Sequence, residues 1–340
     1  AAPGAEGWYY EGRFGDHMPD LNLDNAEVRA EIARIMALWQ SRGVKGFRLD
    51  AVTSYYTGAN ASTADFLRFV CETAKANDPD CYLVGEAWTD EATILTLYES
   101  GIDSLFNFPA SDSTGRFVKA ALAGKSSTVA SAQADWNARI RAVSPASVDA
   151  PFVSNHDMAR ARGMLRSKVP NEKAAALLYL LMPGVPTVYY GEELGMSGSG
   201  SDENKRLPMV WSSDAATQCK APAAADQAQR LTDGVAEQDS DPDSLLNWYR
   251  QLIALRNLAP ELTRGEMTAL EGGNDAICAY TVTDAGSTVA IISNVSQKDT
   301  LTVSLDVLRG AELLGGIGGA AFADGTANLP PLSGIIVRLP

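Results

Sequence analysis

The stretches VKGFRLD at residues 44–50 and YLVGEAW at residues 82–88 each combine a short apolar run with an acidic residue near its end. Short apolar runs of this kind are typical of strands buried in a parallel sheet. A helical pattern at residues 62–76 lies between them. Strands that alternate with helices predict parallel βα units, and the chain is therefore expected to have an α/β fold.

The same alternation extends outward from these two stretches, beginning with a helix that Asp24 or Asn25 can cap. The predicted helices span residues 25–40, 62–76, 90–99, 112–143 with a break near Gly124, 172–181 and 244–258. The predicted strands span residues 44–49, 82–84, 102–106, 152–154 and 185–190. Residues 195–240 are predicted to form a long irregular loop, because Gly, Ser, Ala and Asp dominate there.

The pattern of predicted elements changes at Pro260, which marks a boundary between two predicted domains. Short β-type runs joined by turns replace the alternation of helix and strand. These predicted strands span residues 276–282, 288–293, 301–305 and 335–339. We therefore predict an α/β domain over residues 25–259 and an antiparallel β-sandwich over residues 260–340.

The composition excludes several classes of function. The chain has 340 residues and a net charge of −14, which disfavours nucleic acid and anionic membranes as partners. No apolar run approaches the length of a membrane span. Two histidines and four cysteines without a CxxC pair make a zinc site unexpected. The cysteines are interpreted as scattered core thiols.

Three acidic residues lie at the carboxyl ends of predicted strands: Asp50, Glu86 and Asp157. Strand ends of this kind converge on the active-site face of a (β/α)8 barrel. Strand side chains alternate, so Arg48 points the same way as Asp50 and can keep it ionised. Glycoside hydrolysis needs one ionised and one protonated carboxyl group. Acids also end strands simply because strand ends meet water, so each residue alone is compatible with either interpretation.

The local motifs are more specific than the single residues. GFRLDAV, GEAW and SNHD occur in this order, LPMVW follows at residues 207–211, and MPDLN precedes them at residues 18–22. Together they resemble the C-terminal half of the α-amylase family (glycoside hydrolase family 13). The MPDLN form resembles members intermediate between oligo-1,6-glucosidases and neopullulanases.

The resemblance implies roles for the residues that match. Asp50 would be the nucleophile, Glu86 the general acid/base and Asp157 the stabiliser of the transition state. Arg48 would orient Asp50, and His156 would bind a hydroxyl of the sugar at the cleavage point.

Other polar and aromatic residues near these motifs have a structural interpretation. Trp88 is kept as a candidate for stacking on a sugar. Most aromatics of the Trp8-Tyr9-Tyr10 stretch are expected in the core. Asp202 and Arg206 are expected to belong to a solvated loop.

The sequence also departs from the family's pattern. Asp50 is followed by Ala51-Val52-Thr53-Ser54, where many α-amylases have a Lys-His pair that serves calcium and the sugar. Structural calcium is therefore possible but unsupported by the residues present, the metal ligands are unknown, and no catalytic cofactor is expected.

The family's first signature, an Asp-rich strand ending in Asn-His, is absent from these 340 residues. We therefore predict the second half (strands 4–8) of a (β/α)8 TIM barrel, with residues 1–24 as the end of the domain B excursion. Such an arc has an open edge, so a complementary polypeptide carrying strands 1–3 is expected, as a separate chain of a nicked precursor or as an N-terminal half outside these residues.

The predicted function is a retaining glycoside hydrolase that cleaves α-1,4-glucosidic bonds in starch, maltooligosaccharides or related α-glucans. One alternative keeps this mechanism but prefers cyclodextrin, pullulan, α-1,6 bonds or glycosyl transfer. Another is a non-catalytic glucan-binding or ancillary subunit, against which the intact set of three acids argues. A secreted or cell-surface location is expected, and an intracellular one stays open.

Overall fold

The computed structural model describes residues 7–340, which form two compact units. The first unit contains the residues up to Phe106 together with Ile140–Ser147, and the second contains Asn107–Arg139 and Val148–Pro340. The first six residues of the predicted segment 1–24 lie outside the described residues. The domain limits at residues 24 and 259 stay predictions.

The helices and strands are numbered in chain order. The helices are α1 Ala26–Ser41, α2 Asn60–Asn77, α3 Glu91–Tyr98, α4 Arg116–Ala123, α5 Ser127–Val143, α6 Ala161–Met164, α7 Val169–Leu181, α8 Asp202–Lys205, α9 Val235–Ser240, α10 Leu245–Asn257 and α11 Glu261–Arg264. The strands are β1 Gly46–Leu49, β2 Tyr82–Gly85, β3 Ser104–Leu105, β4 Glu266–Leu270, β5 Ile277–Asp284, β6 Ser287–Asn294, β7 Leu301–Ser304, β8 Glu312–Ile317, β9 Ala321–Ala323, β10 Thr326–Leu329 and β11 Ser333–Arg338.

The first unit is built on a parallel sheet in the order β1-β2-β3. Asn25 caps the preceding helix α1, because its side chain accepts hydrogen bonds from the backbone N–H groups of Glu27 and Val28. Gly46 opens β1 where a Cβ atom would collide with the carbonyl oxygen of Tyr82 on β2. Only glycine therefore allows the two strands to pair in this register.

The second unit contains a five-stranded antiparallel sheet in the order β4-β5-β6-β11-β8 and a three-stranded sheet in the order β7-β10-β9. Side chains alternate along β5. Ile277 and Ala279 share an apolar cluster with residues of the three-stranded sheet, such as Leu329. Cys278 and Tyr280 share another with helical residues of α4, α7 and α10. The larger sheet is therefore buried on both faces.

A half-buried arginine of α10 holds the end of α7 in place. Arg256 donates hydrogen bonds to the carbonyl oxygens of Leu180 at 2.9 Å, Met182 at 2.7 Å, Gly184 at 2.6 Å and Leu262 at 3.1 Å. Carbonyl groups at a helix end have no partner within the helix, so this side chain satisfies them from outside. Burial lowers the pKa of Arg256 to about 10, a value at which it still carries its charge.

Two predicted strands of the second unit, residues 152–154 and 185–190, are not regular strands, and that prediction is wrong. Backbone hydrogen bonds of a parallel ladder occur there, since Val185 donates to Asp149 at 2.9 Å and Thr187 donates to Pro151 at 3.0 Å. Pro151 and Pro186 have no N–H group to donate, which interrupts the ladder at both segments.

The prediction of core positions is wrong for two aromatic side chains and one cysteine. Trp8 is 72% exposed and Tyr9 is 80% exposed. They lie in a segment without helix or strand, so no packed face covers them in the part of the chain that the structure describes. Cys219 is exposed within an irregular loop, whereas the other three cysteines are buried. The break near Gly124 is confirmed, because α4 ends there with a φ of 63°.

Within residues 7–340, no helix combines the length and the apolar character that crossing a lipid bilayer requires.

Replacing Arg256 with Met should lower the free energy of unfolding by about 3 kcal/mol or more, because four buried carbonyl groups lose a charged donor. Denaturant unfolding followed by circular dichroism measures this change. Arg250→Met on the same helix is the control, since Arg250 is half-exposed and pairs only with groups at the surface. The control should change stability by less than about 1 kcal/mol. Equal effects of the two substitutions would show that Arg256 does not anchor α7.

Candidate active site

The two acids of the first unit lie side by side at one edge of the parallel sheet. Asp50 follows β1, and Glu86 follows β2. Parallel strands end at the same edge, so residues that follow paired strands meet there. Arg48 joins them, since its Nη1 donates to Asp50 Oδ1 and its Nη2 donates to Glu86 Oε2. One guanidinium group thus compensates two carboxylates.

The two carboxylates differ in their exposure to water. The side chain of Asp50 is 79% exposed, whereas that of Glu86 is 9% exposed. An exposed carboxylate can meet a ligand directly, and a buried one depends on the groups around it for stabilisation. The site therefore offers two carboxyl groups of different character.

The backbone after Asp50 turns sharply. Ala51 adopts a left-handed conformation with a φ of 42°, which is uncommon for a residue other than glycine. The turn brings the N–H of Val52 within 2.9 Å of the carbonyl oxygen of Glu86, while the N–H of Glu86 lies 2.9 Å from the carbonyl oxygen of Leu49. These two hydrogen bonds fix the backbones that carry both carboxylates.

In the second unit, the segment around His156 and Asp157 forms a compact turn. The side-chain oxygen of Asn155 accepts hydrogen bonds from the N–H groups of Asp157 and Met158, both at 2.9 Å. His156 Nε2 lies 3.2 Å from Asp157 Oδ2. An Asn side chain that bonds the backbone two residues ahead is a common way of stabilising such a turn.

Arg206 contacts this turn while its side chain stays exposed to solvent, as the sequence predicts for this loop. Its Nη2 donates to Asp157 Oδ1 at 2.7 Å, and its Nε donates to the carbonyl oxygen of His156 at 3.3 Å. Asp202 pairs with Arg206 at 3.2 Å, and a hydrogen bond from Lys205 lowers the pKa of Asp202. The helical turn α8 brings these charges together, and sequence spacing alone does not reveal that they reach residue 157.

The structure divides the predicted site residues between the two units. The first unit contains Arg48, Asp50, Glu86 and Trp88, and the second contains His156 and Asp157. Trp88 lies in the loop after β2 and is 52% exposed. Its stacking on a sugar stays a prediction.

A calcium site needs several oxygen ligands that lie close together. Among residues 7–340, no three side chains of His, Cys, Asp or Glu are placed to hold a metal ion together. The described part of the chain therefore supplies no such set of side chains for calcium.

A buried carboxylate of the second unit was missed by the sequence analysis. Glu192 accepts hydrogen bonds from the hydroxyl groups of Tyr179 at 2.8 Å, Tyr249 at 2.8 Å and Ser154 at 3.0 Å. Burial raises the pKa of Glu192 to about 7, although these hydrogen bonds act in the opposite direction. Glu86 drew attention as an acid close to the end of an apolar run, and Glu192, which follows the run 185–190 after Gly191, fits the same pattern.

Comparison with known proteins identifies the family. The family model that describes the α-amylase catalytic domain matches residues 4–265. This chain belongs to the α-amylase family. It is 30% identical to "Alpha-amylase 3" of Dictyoglomus thermophilum over 335 residues, which cover 98% of this chain and 66% of the relative. It is 28% identical to a cyclomaltodextrinase of Geobacillus thermopakistaniensis, over 91% of this chain and 47% of the relative.

Solved structures of the α-amylase family have the same fold. The structure of Eubacterium rectale Amy13B superposes with a TM-score of 0.92 at 36% identity, over 99% of this chain and 68% of that one. The coarse fold prediction, an α-amylase-family domain with antiparallel sheets, is confirmed. This chain spans about two thirds of the Dictyoglomus relative and about half of the cyclomaltodextrinase.

The raised pKa of Glu192 predicts how stability depends on pH. An unshifted Glu titrates near 4.5, and Glu192 titrates near 7 in the folded chain. Between these values the folded state keeps a proton that the unfolded state has released, so stability falls as the pH rises. This decrease in the free energy of unfolding is on the order of 3 kcal/mol, and Glu192→Gln should remove it. Unfolding of both proteins measured between about pH 5 and pH 8 tests this prediction.

Glu261→Gln is the control for this pH series. Burial acts to raise the pKa of Glu261, but the hydrogen bond from Ser287 and the nearby Arg338 hold it below its usual value. The stabilisation that ionised Glu261 contributes is lost only as the pH falls below about 4.5. The free energies of unfolding of the control and the wild type should therefore differ by a constant amount above that pH. A constant difference for Glu192→Gln as well would contradict the prediction.

Proposed function

We propose that this chain forms part of a retaining glycoside hydrolase that cleaves α-1,4-glucosidic bonds in starch, maltooligosaccharides or related α-glucans. The observation that carries the proposal is the guanidinium group of Arg48, which contacts both the exposed Asp50 and the buried Glu86. Two carboxyl groups of different character on adjacent strand ends are what the double-displacement reaction requires. Membership of the α-amylase family supports the same conclusion.

The proposed reaction has two steps. In the first, a carboxylate oxygen of Asp50 attacks the anomeric carbon while Glu86 gives its proton to the departing glycosidic oxygen. The bond between the anomeric carbon and that oxygen breaks, and a glycosyl ester of Asp50 forms. In the second, Glu86 takes a proton from water, whose oxygen attacks the anomeric carbon and releases Asp50.

The remaining site residues are proposed to act on the sugar. Asp157 is the stabiliser of the transition state, and His156 binds a hydroxyl of the sugar at the cleavage point. The contacts of Asp157 with Arg206 and His156 support this role, because they hold the carboxylate in one orientation. Trp88 is proposed as a stacking surface for a neighbouring sugar, which its exposure permits.

Cyclodextrin is a second candidate substrate, because one of the similar proteins is a cyclomaltodextrinase. The similarity to a cyclomaltodextrinase favours the same mechanism with a preference for cyclodextrin. Preferences for pullulan, α-1,6 bonds or glycosyl transfer use the same residues and would differ in the shape of the sugar subsites. Product analysis with starch, cyclodextrin, pullulan and isomaltose separates these possibilities.

We also propose that the parallel sheet belongs to strands 4–8 of a (β/α)8 barrel that a further polypeptide segment completes. Within the described residues, β1 is an edge strand with backbone groups unpaired on one side. Helix α1 exposes Ile35, Leu38 and Trp39 on the same unit. An open strand edge and exposed apolar side chains are what the pairing of strands 1–3 and their helices would cover.

Secretion or a cell-surface location remains a proposal. It rests on the proposed substrate, because polymeric α-glucans that lie outside a cell do not cross its membrane and must be cleaved there.

Asp50→Asn should lower kcat by several orders of magnitude on both maltooligosaccharides and aryl glucosides with good leaving groups, because both need the nucleophile. Glu86→Gln should abolish turnover of maltooligosaccharides but retain much more of the activity on the aryl glucosides, whose leaving group needs no proton. Steady-state kinetics with both substrates measure this difference.

Asp65→Asn is the control for these variants, since Asp65 is exposed in the same unit and pairs only with Arg68 on the helix surface. It should leave both activities unchanged. Substantial activity of Asp50→Asn, or equal losses on both substrates for Glu86→Gln, would refute the assigned roles. A native protein that contains the completing segment and is inactive on every α-glucan would favour a non-catalytic binding protein.

Mass spectrometry of the native protein under denaturing conditions tests the completing segment. We expect either a second polypeptide that copurifies with this chain or a single chain heavier than 36.1 kDa. The reason is that an open parallel edge and an uncovered apolar helix face favour association. A single 36.1 kDa species that is monomeric and active on α-glucans would sink the proposal.

A further inference from the structure

The turn that carries His156 and Asp157 is tied to the interior of the second unit by the residue that precedes it. Ser154 is buried, and its hydroxyl group donates a 3.0 Å hydrogen bond to Glu192 Oε2. Glu192 is buried as well and touches neither His156 nor Asp157 by a hydrogen bond. Among the described residues, the hydrogen bond from Ser154 is its link to this turn.

Two helices hold the other oxygen of Glu192. Tyr179 of α7 and Tyr249 of α10 each donate a 2.8 Å hydrogen bond to Oε1. Both rings are buried in the apolar cluster that these helices share. The carboxylate is thus fixed at one oxygen to the packed interior and at the other to the turn.

The turn itself transmits this anchoring over a short distance. Asn155 binds the N–H groups of Asp157 and Met158 through its side chain. Three residues lie between Ser154 and Met158 at the far end of this Asx turn, so displacing Ser154 displaces the residues that follow. A carboxylate misplaced by a fraction of an ångström loses much of its effect on a transition state.

We propose that Glu192 is a positioning residue that sets the placement of Asp157 and His156 through the hydroxyl group of Ser154. This inference rests on the proposed function for the roles of Asp157 and His156, but the anchoring itself is independent of the reaction. Glu192 makes no contact with substrate in this role.

The chain offers a matched pair of variants to test the proposal. Ser154→Ala and Tyr249→Phe each remove one hydroxyl donor from the same carboxylate, and only the first cuts its link to the turn. We expect Ser154→Ala to lower kcat by about tenfold or more with KM changed by less than about threefold, and Tyr249→Phe to leave both within about threefold. Thermal unfolding should show that both variants are folded.

The double variant Ser154→Ala/Glu192→Ala extends the test, because Glu192→Ala leaves the hydroxyl group of Ser154 without its acceptor. If Glu192 acts through Ser154, adding Ser154→Ala to Glu192→Ala should cost far less than its tenfold effect in the wild type, because contacts in one chain of interactions are not additive. Equal losses of kcat for Ser154→Ala and Tyr249→Phe, or unchanged kcat for Ser154→Ala, would overturn the proposal.

The position of His156 can be followed without any turnover. The chain has two histidines, so spectra of protein with 13C-labelled histidine contain two Cε1–H signals, and His17→Gln assigns them. Ser154→Ala should shift the signal of His156, whereas Tyr249→Phe should not. That result, with a native protein that contains the completing segment but is inactive, would refute the proposed function and still support the anchoring. An unmoved signal in Ser154→Ala would overturn the anchoring whatever the activity.

Discussion

A carboxylate that leaves water must find a cation or hydrogen-bond donors, and this requirement shapes both units of the molecule. Glu86 is buried beside the guanidinium group of Arg48. Asp149 is buried among three side-chain N–H donors, and Glu192 is buried among three hydroxyl groups. In each case the donors come from other segments of the chain. The hydrogen bonds of these buried acids therefore hold the tertiary structure together as well as compensating the charge.

The sequence predicts helices and strands correctly where a single local feature, such as an apolar run or a capping residue, determines them. The apolar runs before Asp50 and Glu86 correspond to β1 and β2, and the Asn25 cap begins α1. Prediction fails where a local signal competes with another, as at residues 152–154 and 185–190, whose apolar composition favours strands while prolines remove the donors. The Glu192 network is invisible to pattern reading, because its partners are scattered over about a hundred residues.

The sequence pattern changes at Pro260, but the apolar core does not divide at that residue. The five-stranded sheet that follows this residue has two buried faces, and one of them shares an apolar cluster with α7 and α10. Alternating side chains allow one strand to serve two cores at once. Strand periodicity alone cannot reveal this, since a strand covered on both sides reads as a continuous apolar run.

The exposed thiol of Cys219 makes the chain accessible to spectroscopy in its native form. The other three cysteines are buried, and burial raises the pKa of Cys71 and of Cys278 to about 12, so their reactive thiolates are scarce at neutral pH. A maleimide dye would therefore attach at position 219 without engineered substitutions. Residue 219 lies in the same long loop as Arg206, so such a dye would report, in real time, whether that loop moves when a sugar arrives.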